Sequence, residues 1–236
     1  FYYGNDSLAL SRRLLPAEGR VLDLCSGVGT QALLCAQTAD SVTAVEIEPL
    51  AEPIFRINAE LNGLGGKVEF LVGDLLEPLA GRQFDRICCN PPFMPAPPAL
   101  PYPLFAGGGP DGLSVVRRLL AALPEILAPE GQCHIVGAVP GNMERPDVSM
   151  FEKLAVEARL RLELECPTCE ALEGPTMAAI AGTALTGEAE AAEMFRAHFA
   201  MLGATHLYCF LLRATHASRP SLYLSHHGGQ TATVWN

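Results

Sequence analysis

The 236-residue chain is 49% hydrophobic and 18% charged, a balance that excludes a disordered segment and suits one globular domain with a substantial core. Its formal net charge is −10 with only 16 Lys and Arg, which disfavours a nucleic-acid partner held through its phosphates. No apolar run is long enough to cross a bilayer as a helix and no signal-peptide pattern is present, so a cytoplasmic protein without a membrane partner is expected.

The chain opens at Phe1 rather than at a methionine, which leaves open an N-terminal part that was cleaved, disordered or left out. A helix is predicted over Leu8 to Leu15, with Asp6 or Ser7 as its N-cap. The preceding Tyr2-Tyr3-Gly4 is either a plain lead-in or a flap over a ligand, and the second reading makes Tyr3 a candidate substrate contact. Arg20 to Cys25 reads as a buried strand, Ser26-Gly-Val-Gly29 as a glycine turn and Thr30 to Thr38 as a helix, the βα unit that brings backbone close to a nucleotide. Asp23 lies inside that strand, where an acid is costly unless a donor or a cation meets it. The second strand, Ser41 to Val45, closes on Glu46, an acid able to accept both hydroxyls of a ribose, followed by Ile47. A helix from Pro49 to Leu61 leads to a third strand ending at Asp74 and Leu75, where the acid can meet an adenine amine.

The fourth strand, Arg86 to Cys89, stops at Asn90-Pro91-Pro92-Phe93, because two prolines cannot donate ladder hydrogen bonds and force extended geometry on the residues before them. A stiff turn at a strand's carboxyl end is where open α/β sheets bind ligands. Asn90 offers a side-chain carbonyl, Pro91 a main-chain carbonyl and Phe93 a flat apolar face, a set that suits a planar group carrying N–H₂. Met94 to Pro103 is proline-rich and apolar, the composition of a lid or pocket wall, which adds Met94 and Pro92 as candidate substrate contacts. Gly107 to Leu113 then opens a helix reaching about Leu127, and Gln132 to Val139 is a fifth strand.

Beyond it, Phe151 to Leu160 reads as a helix and Arg161 to Cys166 as a strand with one wet face. Cys166-Pro-Thr-Cys169 lacks a second pair at zinc-ribbon spacing and is read as a loop, with no metal site expected. The remaining cysteines read as reduced core residues. Glu173 to Gly182 has little periodicity and either lines a substrate pocket or covers the sheet edge; Glu188 to Leu202 is an amphipathic helix. His206 to Leu212 is expected as an antiparallel last strand, and Ser221 to Leu224 and Thr231 to Trp235 as short extra strands or an arm. His226-His227 reads as an exposed turn. The expected division is a domain over 1–215, with 168–203 as a substrate-pocket insertion, and an arm over 216–236.

By themselves the glycine turn and Glu46 suit NAD as well as any other adenosine cofactor. With Asp23, Gly27, Gly29, Glu46, Asp74 and the N-P-P-F turn together, the chain resembles the class I S-adenosylmethionine-dependent methyltransferases. N-P-P-F followed by G-G-P-D-G-L at Gly108 to Leu113 is similar to the glutamine-N5 methyltransferases that modify peptide-chain release factors, over about residues 1–140. The resemblance implies a Rossmann-like α/β fold, a seven-stranded mostly parallel sheet with an antiparallel last strand and helices on both faces. It implies S-adenosyl-L-methionine bound by Asp23, Cys25, Gly27, Gly29, Glu46, Ile47, Asp74, Leu75 and Asn90, and N-methylation carried by Asn90, Pro91 and Phe93. Cys25 stands where the family has a glycine, Phe93 where it has a tyrosine, and the family's N-terminal helical domain is not visible. The absent helical domain, the apolar stretch Met94 to Pro103 and the unusual C-terminal third make a small-molecule acceptor the expected partner, with a protein glutamine as the alternative, a nucleic-acid amine after it and a homodimer as an open assembly.

Overall fold

The computed structural model describes residues 4–226 and 232–235. In chain order the elements are α1 (Asn5–Leu14), β1 (Arg20–Leu24), α2 (Thr30–Cys35), β2 (Ser41–Glu46), α3 (Ala51–Leu61), β3 (Val68–Val72), β4 (Phe84–Cys89), α4 (Ser114–Ile126) and β5 (Leu127–Gly141). They continue as α5 (Ser149–Glu157), β6 (Leu160–Ala171), α6 (Gly174–Gly182), α7 (Glu188–Met201), β7 (His206–His216), β8 (Ser221–His226) and β9 (Ala232–Trp235). All strands join one sheet in the order β3-β2-β1-β4-β5-β7-β6-β8-β9. The pairs from β3 through β5 are parallel, so their carboxyl ends share one edge, while β7 runs antiparallel between β5 and β6.

Strands buried on both faces read as continuous apolar runs, and β1 is buried at every residue after Arg20. On one face α1, α2 and α3 pack Leu10, Leu14, Ala32 and Phe55 against Val21 and Val42. On the other, α4 presents Val116, Leu119, Leu120 and Leu123, a helical stripe, and α5 presents Phe151 edge-on to Phe210 of β7, ring centroids 5.5 Å apart. The expected α/β architecture with an antiparallel β7 is present. The sheet is wider than seven strands because β8 pairs parallel with β6 and β9 antiparallel with β8.

Three readings need correction. Helix α1 starts at Asn5 with Gly4 at its N-cap and no side-chain cap, so Asp6 and Ser7 lie within its first turn. The stretch read as irregular between Glu173 and Gly182 is α6, opened by Pro175, whose missing N–H costs nothing in a first turn. Its run of small apolar residues has no polar face, and hence no helical period to read. The C-x-x-C segment is part of β6, at a register shift between Glu165 and Thr168.

A third apolar cluster lies apart from the two sheet faces. Phe195, Phe199 and Ala192 of α7 and Met177 and Ile180 of α6 pack on Ala96, Leu100 and Tyr102 of the segment that follows N-P-P-F. Tyr102 meets Phe195 edge-on at 5.4 Å, and its hydroxyl donates to the Ile180 carbonyl at 3.2 Å. Phe195→Ala is expected to cost this cluster about 3–5 kcal/mol. Hydrogen exchange should then rise in α6, α7 and residues 94–103 while β1, β2 and β4 keep their protection.

Candidate active site

The loop between β1 and α2 turns through three residues of left-handed backbone, Cys25 (φ 57°), Gly27 (φ 53°) and Gly29 (φ 94°). A Cβ at Gly29 would sit 2.6 Å from the Phe55 ring, so only glycine lets α3 pack beneath the loop. A Cβ at Gly27 would meet nothing within 4 Å, and that side of the loop is open. Cys25 adopts a conformation that glycine takes without cost, which accounts for glycine at this place in the family the sequence resembles.

Two carboxylates hold the loop. Glu46 at the end of β2 accepts the Gly27 N–H at 2.9 Å on one oxygen and the Glu48 N–H at 3.0 Å on the other. Asp23, 1% exposed, accepts the Ala32 N–H of α2 at 2.9 Å and the Cys88 thiol at 3.4 Å. Its burial pushes its carboxyl up to about 7, against the lowering effect of those two donors. Asp23 thus meets the requirement for a donor from within the protein, and acts by fastening α2 to β1 and β4. Asp74 follows β3, and both its oxygens are engaged by Arg118 of α4 at 3.0 Å. Leu75 is buried at a positive φ of 53°, and Ile47 is half exposed beside Glu46.

Asn90 closes β4 at the same edge. Its Nδ2 donates to Asp6 Oδ2 at 3.0 Å and to Ser7 Oγ at 3.1 Å, and among the described residues no donor reaches its Oδ1. Pro91 is buried, and Pro92, Phe93 and Met94 are half-buried. The G-G-P-D-G-L loop braces this turn through backbone alone. Met94 N–H donates to Ala106 O at 2.8 Å, Gly108 N–H to Met94 O at 2.9 Å and Ala96 N–H to Gly109 O at 3.0 Å. A Cβ on Gly108 would lie 2.7 Å from Phe93 Cα, and one on Gly112 would fall on the Phe93 carbonyl oxygen. Asp111 accepts the Leu113 N–H at 3.0 Å ahead of α4 and pairs with Arg117, while His198 of α7 bonds the Pro110 carbonyl at 2.6 Å.

The predicted residues on β1, β2, β3 and β4 therefore gather at one sheet edge, with the exception that Tyr3 and His227 lie outside the described residues. Sequence reasoning missed Arg118, His198 and the tie from Asp6 and Ser7 to Asn90. Only the tie to Asn90 had a local clue, two polar residues at a helix start that the helix does not use as caps. Of the four buried side-chain atoms without a hydrogen-bond partner among the described residues, two lie at this edge, Ser26 Oγ in the glycine loop and Asp6 Oδ1 beside Asn90. Unmet polar atoms and the open face at Gly27 fit a polar cofactor at this edge. Among the described residues no group of three His, Cys, Asp or Glu could hold a metal ion.

The family model described as Methyltransferase small domain matches residues 6–159 of the chain. A ribosomal protein uL3 glutamine methyltransferase of Bradyrhizobium diazoefficiens is 38% identical over 141 residues, 55% of this chain and 44% of that protein. A release factor glutamine methyltransferase of Moorella thermoacetica is 37% identical over 134 residues, 52% of this chain and 47% of that protein. The chain spans about half the length of these two curated relatives. A tRNA1(Val) (adenine(37)-N6)-methyltransferase of Shewanella loihica is 29% identical over 151 residues, 61% of this chain and 59% of that protein. Among solved structures, the YcgJ protein of Bacillus subtilis aligns with a TM-score of 0.59 and 15% identity over 92% of this chain and 100% of that one, a likeness of fold alone.

The two glycines of the loop should separate in unfolding experiments. Gly29→Ala meets both a left-handed φ and the Phe55 ring and is expected to cost about 2–4 kcal/mol, whereas Gly27→Ala meets the φ alone and is expected to cost about 1–2 kcal/mol. Asp23 has a folded pKa raised from 3.8 to about 7, so the folded state holds an extra proton between those values. Its contribution to stability accordingly falls as pH rises through that window and is flat above it. Urea midpoints of the wild type measured against Asp23→Asn at about pH 5 and about pH 8 should show the wild type losing ground at the higher pH.

Proposed function

The chain belongs to the methyltransferase small domain family, and from that premise we propose that it is an S-adenosylmethionine-dependent N-methyltransferase whose acceptor is the side-chain amide of a protein glutamine. The observation that carries the reading is the pair of acceptors at the end of β4. The Asn90 nitrogen is taken up by Asp6 and Ser7, so its Oδ1 and the Pro91 carbonyl are the groups left to receive the two hydrogens of an N–H₂. The names of the two glutamine methyltransferases support an amide in that place. The small-molecule acceptor expected from the sequence draws no support from these relatives.

In this reading Glu46 would hold the ribose and Asp74 the adenine amine, and the open side of the loop at Gly27 would leave room for the rest of the cofactor. When bound, the cofactor supplies a sulfonium methyl, an electrophile ready for in-line displacement. An amide nitrogen is a poor nucleophile because its lone pair is shared with the carbonyl. Asn90 Oδ1 and Pro91 O accept its two N–H groups, orient the lone pair and stabilise the positive charge that grows on nitrogen as the bond to the methyl carbon forms. Phe93 holds the plane of the amide. The nitrogen then loses one proton to solvent, and no dedicated base is needed.

A second reading, methylation of an adenine amine in RNA, uses the same two acceptors and is favoured by the Shewanella relative; the net charge of −10 weighs against it. S-adenosylmethionine with a labelled methyl, incubated with the protein and a cell lysate split into protein, nucleic-acid and small-molecule fractions, tests both. Label is expected in protein, as N5-methylglutamine after hydrolysis that preserves the amide. Label confined to nucleic acid would install the second reading, and label confined to small molecules would overturn both. Asn90→Ala is expected to lower turnover by about 10²–10³ while calorimetry finds cofactor affinity retained.

A further inference from the structure

We propose that Asp6 and Ser7 are positioning residues that set which way the Asn90 amide points. The proposal rests on the amide-acceptor reading above and adds to it the groups that make Asn90 an acceptor at all. An asparagine side chain presents C=O and N–H₂ from nearly the same shape, and a half-turn about its last torsion exchanges them. With N–H₂ turned outward, Asn90 would set donor against donor at a substrate amide.

Nothing in β4 or in the two prolines selects one orientation. The first turn of α1 does, through Asp6 Oδ2 at 3.0 Å from the Asn90 nitrogen, while Ser7 Oγ at 3.1 Å, able to donate or accept, adds a second partner without choosing between the orientations. An ionised carboxylate has no proton to give, so only the nitrogen of Asn90 can face it. The turn itself is fixed in place: Leu10 and Leu14 of α1 are fully buried, Ser7 is 4% exposed, and the Ser7 carbonyl accepts Gln31 Nε2 of α2 at 3.3 Å.

Apart from lying in the first turn of α1, where an acid suits the helix dipole, Asp6 has one specific partner, Asn90. It caps no helix, it pairs with no cation among the described residues, and its second oxygen is buried without a partner. A carboxylate in that setting is costly, and the bond it makes is to Asn90. The Ser7 hydroxyl can serve either orientation, so the selection falls to the bond from Asn90 to Asp6, which keeps the turned-over amide to roughly one molecule in ten to one in a hundred.

Hydrogen exchange of the Asn90 side-chain N–H₂ reads this directly, its NMR signal identified by its loss in Asn90→Ala. Protection is expected in the wild type and its loss in Asp6→Ala, a partly exposed position whose change should leave the fold intact. With labelled S-adenosylmethionine and the protein fraction of a lysate, Asp6→Ala should lower kcat by about tenfold or more while the cofactor Kd stays within about threefold. The exchanged pair Asp6→Asn with Asn90→Asp reverses the hydrogen bond, the amide at position 6 donating and one carboxylate oxygen at position 90 still facing the acceptor. It should turn over about tenfold faster than Asn90→Asp alone, a rescue that a merely structural role would not produce. Unchanged exchange of the Asn90 amide in Asp6→Ala, or a cofactor affinity that falls in step with turnover, would overturn the proposal. A wild type that labels no protein would sink the amide-acceptor reading, while the exchange measurement would still decide the orientation.

Discussion

The backbone of Phe93 lies against the backbone of Gly108 and Gly112 with no room for a side chain between them, and the rest of the site depends on that contact. Two prolines end β4 and make the turn stiff, but stiffness alone does not say where the turn points. The hydrogen bonds that join Met94 and Ala96 to Ala106, Gly108 and Gly109 give it a direction. The same loop starts α4 through Asp111 and is held to α7 through His198, so the turn after β4, α4 and α7 share one support.

Carboxylates near the cleft divide by what they already hold. Asp23 is spent inside the protein, joining a strand to the helix that follows it, and its cost of burial is the cost of placing the glycine loop. Glu46 accepts one backbone N–H on each oxygen, and each oxygen keeps a lone pair for a further donor. Asp74 is gripped by Arg118 in a partly exposed pair that orients the carboxylate more than it stabilises the fold. In the proposed reading, acceptors preorganised in this way need little rearrangement to meet the hydroxyls and amine of a cofactor.

Much of this was legible in the residues, for local reasons. Strand, glycine turn and helix from Arg20 to Thr38 announce themselves by apolar runs broken by glycine, and N-P-P-F by the chemistry of proline. Where the reading failed, the information was elsewhere in the chain. Helix α6 has small apolar residues all round and is helical because α7 and the segment after N-P-P-F pack on it. Cys166 and Cys169 belong to β6 because β7 pairs through that register, not because of anything in their spacing. Asp6 and Ser7 resembled helix caps because local pattern knows nothing of Asn90, which lies 84 residues after Asp6 at the end of β4.

The place of β7 between β5 and β6 has a consequence for biosynthesis. While the chain leaves the ribosome, β5 waits with one edge unpaired until α5, β6, α6 and α7 have all emerged, because its partner is the later strand. Ile135, Val136, Ala138 and Val139 face that open edge on a strand rich in β-formers, the kind of surface that recruits other chains. Sheet closure is thus a late, non-local event in the life of each molecule, and until the C-terminal third arrives the nascent chain carries the unpaired edge of β5.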